Sequence, residues 1–423
     1  MTPRYQAQAS VLVVLGCGIL PAIPLAQTSD GGGLTAALTV SESLEATRNL
    51  ALTPDGTDTT LQSVTTLGFA MQSETQTQVF AFDAGLGLRA SATSGDTDFG
   101  LGDRSLSLSY GLEGVRSSLG LSAAASQADV EFFRPLSDFI DGDTIIQPSS
   151  FDDLTGTGTR TDLRFAASLS MMDDAPFGLL LDASYGSTLY QDTTDPDLVD
   201  STQFALGLDA RFDISPVTQI KTGLRYSEFS DDDGTESDSV TLTAGAVFTQ
   251  PAGTLGFNLS ATPGDDGTQL GFAVSRQIEL PDGTLGGNVG VVLTPSDETI
   301  LTGGLNYSVE RAAGTLSASF DHSVATAAGA TGDVTTALSL QGSTALSPDV
   351  TASLRAGYAR YEEADVDGVT SVADLSASVS YALSPDWSLS AGASYLLRDP
   401  SDGDRASAQT LSLTVSRLFD VRN

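Results

Sequence analysis

From Leu34 onward, apolar and polar residues alternate strictly within segments of roughly ten to thirteen residues. A period of two places successive side chains on opposite faces of a β-strand. The segment that begins at Trp387 shows the pattern clearly: one face carries Trp387, Leu389, Ala391, Ala393, Tyr395 and Leu397, and the other carries Ser388, Ser390, Gly392 and Ser394. The pattern therefore predicts a long series of strands, each with an apolar face and a face of small polar residues.

The connections between these segments are of two kinds that alternate along the chain. The short kind contains the proline and glycine that suit tight reversals, as in Ser215–Thr218, Pro251–Thr254, Pro281–Thr284, Ala312–Thr315, Ser347–Val350 and Ser384–Trp387. The longer kind is acidic, as in Gln191–Ser201, Ser230–Gly234, Glu362–Gly368 and Asp399–Asp404. Short turns on one rim and longer loops on the other are typical of outer-membrane barrels, whose short turns face the periplasm.

The predicted fold is all-β: a transmembrane antiparallel up-and-down β-barrel of about 20 strands (18–22) between Leu34 and Phe419. A soluble β-sandwich is the alternative. A sandwich seldom runs ten hairpins in series, because its open edges must be protected. Its exposed faces usually carry charged side chains, whereas the polar faces here are Ser, Thr, Gly and Ala. A closed barrel pairs every backbone group and needs no edge.

The first 26 residues read as a signal peptide, with Arg4 in the n-region and an apolar h-region from Val11. Cleavage before Gln27 would leave a short periplasmic segment, 27–33, then the barrel, 34–419, and a tail, 420–423. Cys17 is the only cysteine and lies in the signal peptide, so the mature chain would have no disulfide. A lipoprotein site at Cys17 is the alternative, but the apolar stretch continues beyond it. These features predict export to the cell outer membrane of a Gram-negative bacterium.

Nineteen basic against 54 acidic residues give a formal charge of −35. Nothing here could neutralise a phosphate backbone, so nucleic-acid partners are excluded. The expected partners are outer-membrane lipid, lipopolysaccharide and the barrel assembly machinery. As a hypothesis, divalent cations could bridge acidic loops. Asp365 and Asp367 are weak Ca²⁺ or Mg²⁺ candidates, because no loop matches a complete calcium signature.

Residues for catalysis are scarce, so we expect no enzymatic activity and no cofactor. The only histidine, His322, shares the apolar register of Leu316, Ala318 and Phe320. A position that faces lipid offers a hydrolase no enclosed oxyanion site. The mature chain also lacks the His/Cys clusters that zinc sites require.

Charges on the predicted inward face are few and of both signs. In a channel they would set ion preference, and in a plugged barrel they would pair with one another, two alternatives that the sequence leaves open. The candidate lumen-lining residues are Asp83, Arg89, Arg164, Asp182, Asp209, Arg211, Lys221, Arg225, Glu279, Asp321, Arg355 and Asp374.

One connection, from Phe132 to Thr161, is too long and too apolar for a simple connector. Folded inward it would narrow the pore, and folded outward it would form a contact surface. Its constriction candidates are Phe133, Asp138, Asp141 and Asp143. On the lipid face, Trp387, Tyr395 and Phe419 are candidates for the aromatic girdles at the membrane interfaces.

The first strand, Leu34–Val40, leads into a polar stretch that ends at Asn49, and serial hairpins follow. This arrangement resembles outer-membrane β-barrel porin families, some of which are associated with exopolysaccharide or unassigned transport. The resemblance implies a channel for passive diffusion of ions or small polar solutes. The alternative is a structural or surface-interaction barrel, or an exopolysaccharide-associated one, without open-pore activity. Asp420–Asn423 after Phe419 depart from the usual aromatic terminus of such barrels, which puts the usual assembly signal in doubt.

Overall fold

The structure is a computed structural model that describes residues 33–50, 52–93, 96–129, 140–141, 144–145, 158–172, 174–193, 198–264, 267–296, 298–325, 332–362, 368–400 and 404–422. The expected signal peptide therefore lies outside the described residues. Within those ranges, no helix is long and apolar enough to span a membrane.

Twenty strands form one antiparallel sheet, as the alternation predicts. Their bounds are β1 Leu34–Arg48, β2 Thr59–Glu74, β3 Gln78–Thr93, β4 Asp96–Glu113, β5 Ser117–Asp129, β8 Thr159–Met171, β9 Phe177–Gln191, β10 Ser201–Ser215, β11 Thr218–Asp231, β12 Glu236–Gln250, β13 Gly253–Gly264, β14 Gly267–Leu280, β15 Gly283–Leu293, β16 Thr299–Arg311, β17 Gly314–Val324, β18 Val334–Ser347, β19 Val350–Glu362, β20 Val369–Ala382, β21 Trp387–Asp399 and β22 Ala406–Arg422. Two short strands, β6 Ile140–Asp141 and β7 Thr144–Ile145, pair separately within the long connection.

The sheet closes on itself because β1 pairs with β22 as well as with β2. We call this junction the seam. Opposite Leu38 on β22 lies Phe419, and opposite Arg48 lies Gln409. Closure removes the two open edges that a sheet would otherwise present to lipid.

The ends of the barrel differ from the sequence prediction at both sides of the seam. The first strand continues beyond Val40 to Arg48, because its backbone is paired on both sides through the polar stretch. The last strand likewise runs to Arg422, so residues 420–422 belong to β22 rather than to a tail. Ladder pairing decides these boundaries where the alternation of side chains is weak.

Short turns connect the strands at the end of the barrel where β1 begins and β22 ends, which we call the turn rim. Three of these turns share a glycine that begins the following strand: Gly253, Gly283 and Gly314. A methyl group on any of them would collide with a backbone carbonyl oxygen of the strand that follows and pairs with the glycine's own strand, that of Gln277, Ser308 or Ser343. The close approach of the two backbones therefore explains the repeated Gly-Thr at these turns.

The two faces of the barrel differ as the binary pattern predicts. The outward face carries most of the large exposed side chains, such as Leu44, Leu259, Leu301 and Leu411. The inward face is built largely from Ser, Thr, Gly and Ala. Few side chains are fully buried, because a membrane barrel directs its apolar surface to lipid rather than to an interior core.

Barrel size follows from the strand number. Strands about 4.8 Å apart and tilted by about 40° give twenty of them a circumference near 125 Å and a diameter of about 40 Å. Eight strands suffice for side chains to fill the interior, whereas sixteen to eighteen leave a channel. The inward side chains of this barrel therefore cannot meet across its axis.

Candidate functional site: the inner barrel wall

All twelve charged residues predicted to face inward lie on that face. In the cross-strand register, each of them lies opposite Ser, Thr, Gly or another inward charge on at least one neighbouring strand. Each also lies two residues from the nearest inward side chains of its own strand. The twelve are Asp83 and Arg89 on β3, Arg164 on β8, Asp182 on β9, Asp209 and Arg211 on β10, Lys221 and Arg225 on β11, Glu279 on β14, Asp321 on β17, Arg355 on β19 and Asp374 on β20.

Six of the twelve lie on the four adjacent strands β8 to β11. We call this set the basic panel: Arg164, Asp182, Asp209, Arg211, Lys221 and Arg225. Four cations against two carboxylates give it a net charge of +2, in a chain whose total is −35. The same inward face of β8 to β11 also carries Arg160, Asp162, Asp213 and Asp231. With these four, five cations stand against five carboxylates, so the excess of positive charge is limited to the six residues of the panel.

An ion pair crosses this panel from β9 to β11. The Arg225 guanidinium lies 3.3 Å from the Asp182 carboxylate, and the strand between them, β10, contributes Gly207 to the same row. A Cβ on Gly207 would collide with that carboxylate. A Cβ on Gly223 would likewise collide with the Asp209 carboxylate. Glycine therefore allows the carboxylates to lie flat on the wall instead of projecting into the lumen.

Two cations of the panel lie directly opposite each other, Arg211 on β10 and Lys221 on β11. Like charges in register repel. Arg211 is turned away from Lys221: its guanidinium donates to the Ala175 carbonyl at 3.2 Å and lies 3.5 Å from the Asp213 carboxylate. Lys221 is exposed and forms no ion pair with any described residue. It is therefore available to a solute in the lumen.

Sequence reasoning missed other inward charges near the opposite end of the barrel, the loop rim. Arg160 and Asp162 form a pair at 2.9 Å on β8, and Asp162 is 5% exposed. Arg398 on β21 is also inward and nearly buried. The sequence signal was available, because Arg160 and Asp162 share the register of Arg164. With them, five of the eight inward basic residues of the described strands lie on β8 to β11, the eight being Arg89, Arg160, Arg164, Arg211, Lys221, Arg225, Arg355 and Arg398.

Away from the panel, the inward wall is mostly acidic or neutral. Arg89 pairs with Asp103 at 3.5 Å. A recess of about 470 Å³ lies between β13 and β18, where Asn288 and Asp321 both lie over Gly304. Carboxamide and hydroxyl groups dominate this recess, so it offers hydrogen bonds rather than a net positive field.

The loop between β1 and β2 folds into the mouth of the barrel. Leu52 is 4% exposed and packs against Ala406, Ala408 and Leu396, which all face inward on β22 and β21. The Asn49 side chain fixes this conformation, because its amide donates to the Thr53 and Ser407 carbonyls at 2.8 and 2.9 Å. The first loop is therefore an inward-folded element that the sequence did not predict.

The predicted constriction candidates are largely beyond what the structure describes. Phe133, Asp138 and Asp143 lie outside the described residues, and Asp141 ends the two-residue strand β6. The cation candidates Asp365 and Asp367 also lie outside them. In the described part of the chain, no three His, Cys, Asp or Glu side chains group closely enough to hold a metal ion.

On the outward face, aromatic side chains recur eight residues apart. Trp387 and Tyr395 have this spacing on β21, Phe177 and Tyr185 have it on β9, and Phe212 and Phe204 on β10. Phe177 and Phe212 are 5.0 Å apart, and Phe204 and Tyr226 are 6.5 Å apart. Eight residues on a tilted strand span about 20 Å of height, close to the apolar band of about 25 Å. Phe419 lies at the level of Trp387, where Arg417 stacks over both rings.

His322 lies on the outward face of β17, as its sequence register predicts. Its Nδ1 is 2.8 Å from the Thr336 hydroxyl on β18. Both side chains face away from the lumen.

A closed twenty-strand barrel, apolar outside and polar inside, defines a transmembrane barrel of the outer-membrane type. Solved structures of the same fold include a mutant of the ferric enterobactin receptor PfeA from Pseudomonas aeruginosa, with a TM-score of 0.51, 8% identity, and coverage of 92% of this chain and 81% of that chain. The FrpB iron transporter from Neisseria meningitidis matches with a TM-score of 0.47, 9% identity, and coverage of 92% and 83%. OccK2 (OpdF) from Pseudomonas aeruginosa, in complex with glucuronate, matches with a TM-score of 0.42, 13% identity, and coverage of 93% and 100%. At 8% identity, the likeness to the PfeA structure shows the fold alone. No protein-family model and no curated protein matches the sequence.

Proposed function

We propose that the protein is an outer-membrane channel through which ions or small polar solutes diffuse passively. The observation that carries the proposal is the width of a closed twenty-strand barrel whose inward face is mostly small and polar. Its short turns would face the periplasm and its loop rim the cell exterior. The charges of the wall would then act on whatever enters the lumen.

The basic panel gives the channel its preference among solutes. Lys221, Arg164 and Arg225 are exposed to the lumen, and of these three only Arg225 forms an ion pair with another described residue. A wall with exposed cations raises the local concentration of anions and orients carboxylate groups. The preferred solutes are therefore small anions and polar molecules that carry a carboxylate.

A barrel without open-pore activity is the second candidate, and the first loop favours it. Leu52 and Asn49 hold that loop inside the mouth, which narrows the entrance. In this case the acidic loops would act as a contact surface for polysaccharide, lipopolysaccharide or divalent cations. Neither candidate involves catalysis, and the His322 side chain faces outward, away from the lumen.

Planar-bilayer recordings separate the two candidates. The chain from Gln27 would be refolded, and the strand content would be confirmed by circular dichroism before insertion. Stable conductance steps, with a reversal potential shifted toward anions in a salt gradient, are expected for the channel. A folded barrel that inserts and stays silent would contradict the channel and favour the structural candidate.

A further inference from the structure

The outward face of the seam, which faces lipid, carries an acidic side chain where an apolar one would be expected. Glu42 faces outward in the middle of β1, in the same register as Val40 and Leu44. Other outward acidic residues of the described strands lie within about three residues of a strand end. A charge on the lipid face is unfavourable in the middle of the membrane and nearly tolerated at its interfaces. An ionisable side chain in this position therefore calls for a polar partner.

Glu42 is held on the β2 side of the seam. The hydroxyls of Ser63 and Thr65 both donate hydrogen bonds to its carboxylate. These two residues also face outward, because Thr65 lies opposite Glu42 and Ser63 lies opposite Leu44. The three side chains form a polar notch in a wall that is otherwise rich in leucine, with Leu61 and Leu44 more than half exposed beside it.

A cation lies on the other side of the same seam. Arg417 of β22 faces outward opposite Val40, only two residues along β1 from Glu42. Its guanidinium is not turned toward Glu42. It stacks over Trp387 on β21 at 5.2 Å and over Phe419 at 4.3 Å. The acid thus leans toward β2 and the base toward β21, away from each other.

This arrangement is self-complementary about a two-fold axis. An axis normal to the membrane and passing through the seam sets β1 against β22 of a second copy, and the β2 side against its β21 side. The displaced carboxylate of one copy then meets the displaced guanidinium of the other, and symmetry makes the contact twice. Leucines around the notch, among them Leu411 and Leu413, would exclude lipid from both pairs.

We propose that the outward faces of β1 and β22 form a dimer interface in which Glu42 of each copy pairs with Arg417 of the partner subunit. The occupant is a second copy of this chain, because the patch supplies both the acid and the base that such an interface needs. A buried charge pair in lipid fixes both the partner and the height at which the two barrels meet. The proposal does not depend on whether the lumen conducts.

Cysteine pairing in the outer membrane tests this geometry. Two differently tagged full-length copies are expressed together, one with Leu44→Cys and the other with Leu413→Cys, and mild oxidant is added. Leu44 and Leu413 are register neighbours at the seam, so across the axis each faces the other in the second copy. The control pair is Val289→Cys with Leu301→Cys, which lie exposed on the outward face of β15 and β16, seven and six strands from β22. We expect a mixed disulfide for the first pair alone.

Charge variants test the role of the two side chains. Adding Glu42→Gln or Arg417→Gln to both copies is expected to lower the mixed-disulfide yield at least about fivefold, because two symmetry-related pairs are lost. Exchanging the charges, Glu42→Arg with Arg417→Glu, restores the yield. Arg276→Gln, which removes an outward arginine from β14, leaves it unchanged. Tag levels in the outer membrane report folding. A seam yield equal to that of the control pair, or one unaffected by Glu42→Gln in a folded barrel, overturns the proposal.

Discussion

Removing one carboxylate from the basic panel should change the ion preference of the lumen. Asp182 neutralises Arg225 at 3.3 Å, and the Asp182 side chain is 27% exposed while that of Arg225 is 57% exposed. In Asp182→Asn the amide keeps the size of the side chain and removes its charge. Arg225 then adds a full positive charge to the field in the lumen.

The size of the effect follows from the geometry of the barrel. A backbone radius of about 20 Å, less about 6 Å for an inward side chain, leaves the charge roughly 14 Å from the axis. In water, the interaction energy between this charge and a monovalent ion on the axis is about 0.3 kcal/mol. Screening at 0.01 M salt, with a Debye length of about 30 Å, reduces this to about 0.2 kcal/mol. Anions gain that amount and cations lose it, so the anion-to-cation permeability ratio should rise about twofold.

Reversal potentials in a potassium chloride gradient measure this ratio directly. The twofold change should appear near 0.01 M and vanish near 1 M, where the Debye length is about 3 Å. Asp238→Asn is the matched control, because Asp238 faces outward on β12. An unchanged ratio at low salt, in a variant that still conducts, would refute the assignment of the panel to an open lumen.

Three further predictions concern the mouth, the turns and the girdle. Leu52→Asp places a carboxylate in an apolar contact, so the first loop should leave the mouth and single-channel steps should grow; unchanged steps in bilayers would show that the loop does not limit conduction. Gly283→Ala should lower the free energy of unfolding, measured in vesicles with urea, by about 2 kcal/mol or more, because the added methyl group collides with backbone. The control Gly286→Ala should cost far less, because its methyl group would meet nothing nearer than 3.9 Å. Equal values would contradict the backbone collision. In the same assay, Trp387→Ala should lower the free energy of unfolding by about 1–2 kcal/mol more than Tyr381→Ala, because of the two only Trp387 stacks on a guanidinium in the described structure. Equal losses would show that this stacking does not stabilise the barrel.

Strand number, face and inward charge were predictable because all three follow from one local rule. A period of two assigns each side chain to a face before any tertiary contact is known. Asp182, Arg225 and Lys221 could therefore be placed in the lumen from sequence. Their partners could not, because the pairing of Asp182 with Arg225 depends on the register of β9, β10 and β11 and on the glycine between them.

The features that the sequence did not predict lie at positions where the period-two alternation fails. Glu42 interrupts the alternation of β1, so the first strand looked as though it ended at Val40. Leu52 reads as a loop residue, and only its contact with β22, more than 350 residues further along the chain, gives it a buried site. Both cases depend on long-range contacts, which periodicity does not encode.

The pairing of β1 with β22 also sets a condition on biogenesis. The last ladder cannot form until segments separated by almost the whole chain have reached the same place, and loop closure over that distance makes it a late step. A barrel that lacks this ladder would present two rows of unpaired amide and carbonyl groups to hydrocarbon. Stable intermediates with fewer strands are therefore not available to it within the bilayer. The protein should appear there either complete or not at all, and any factor that holds the open edges until they meet determines its yield.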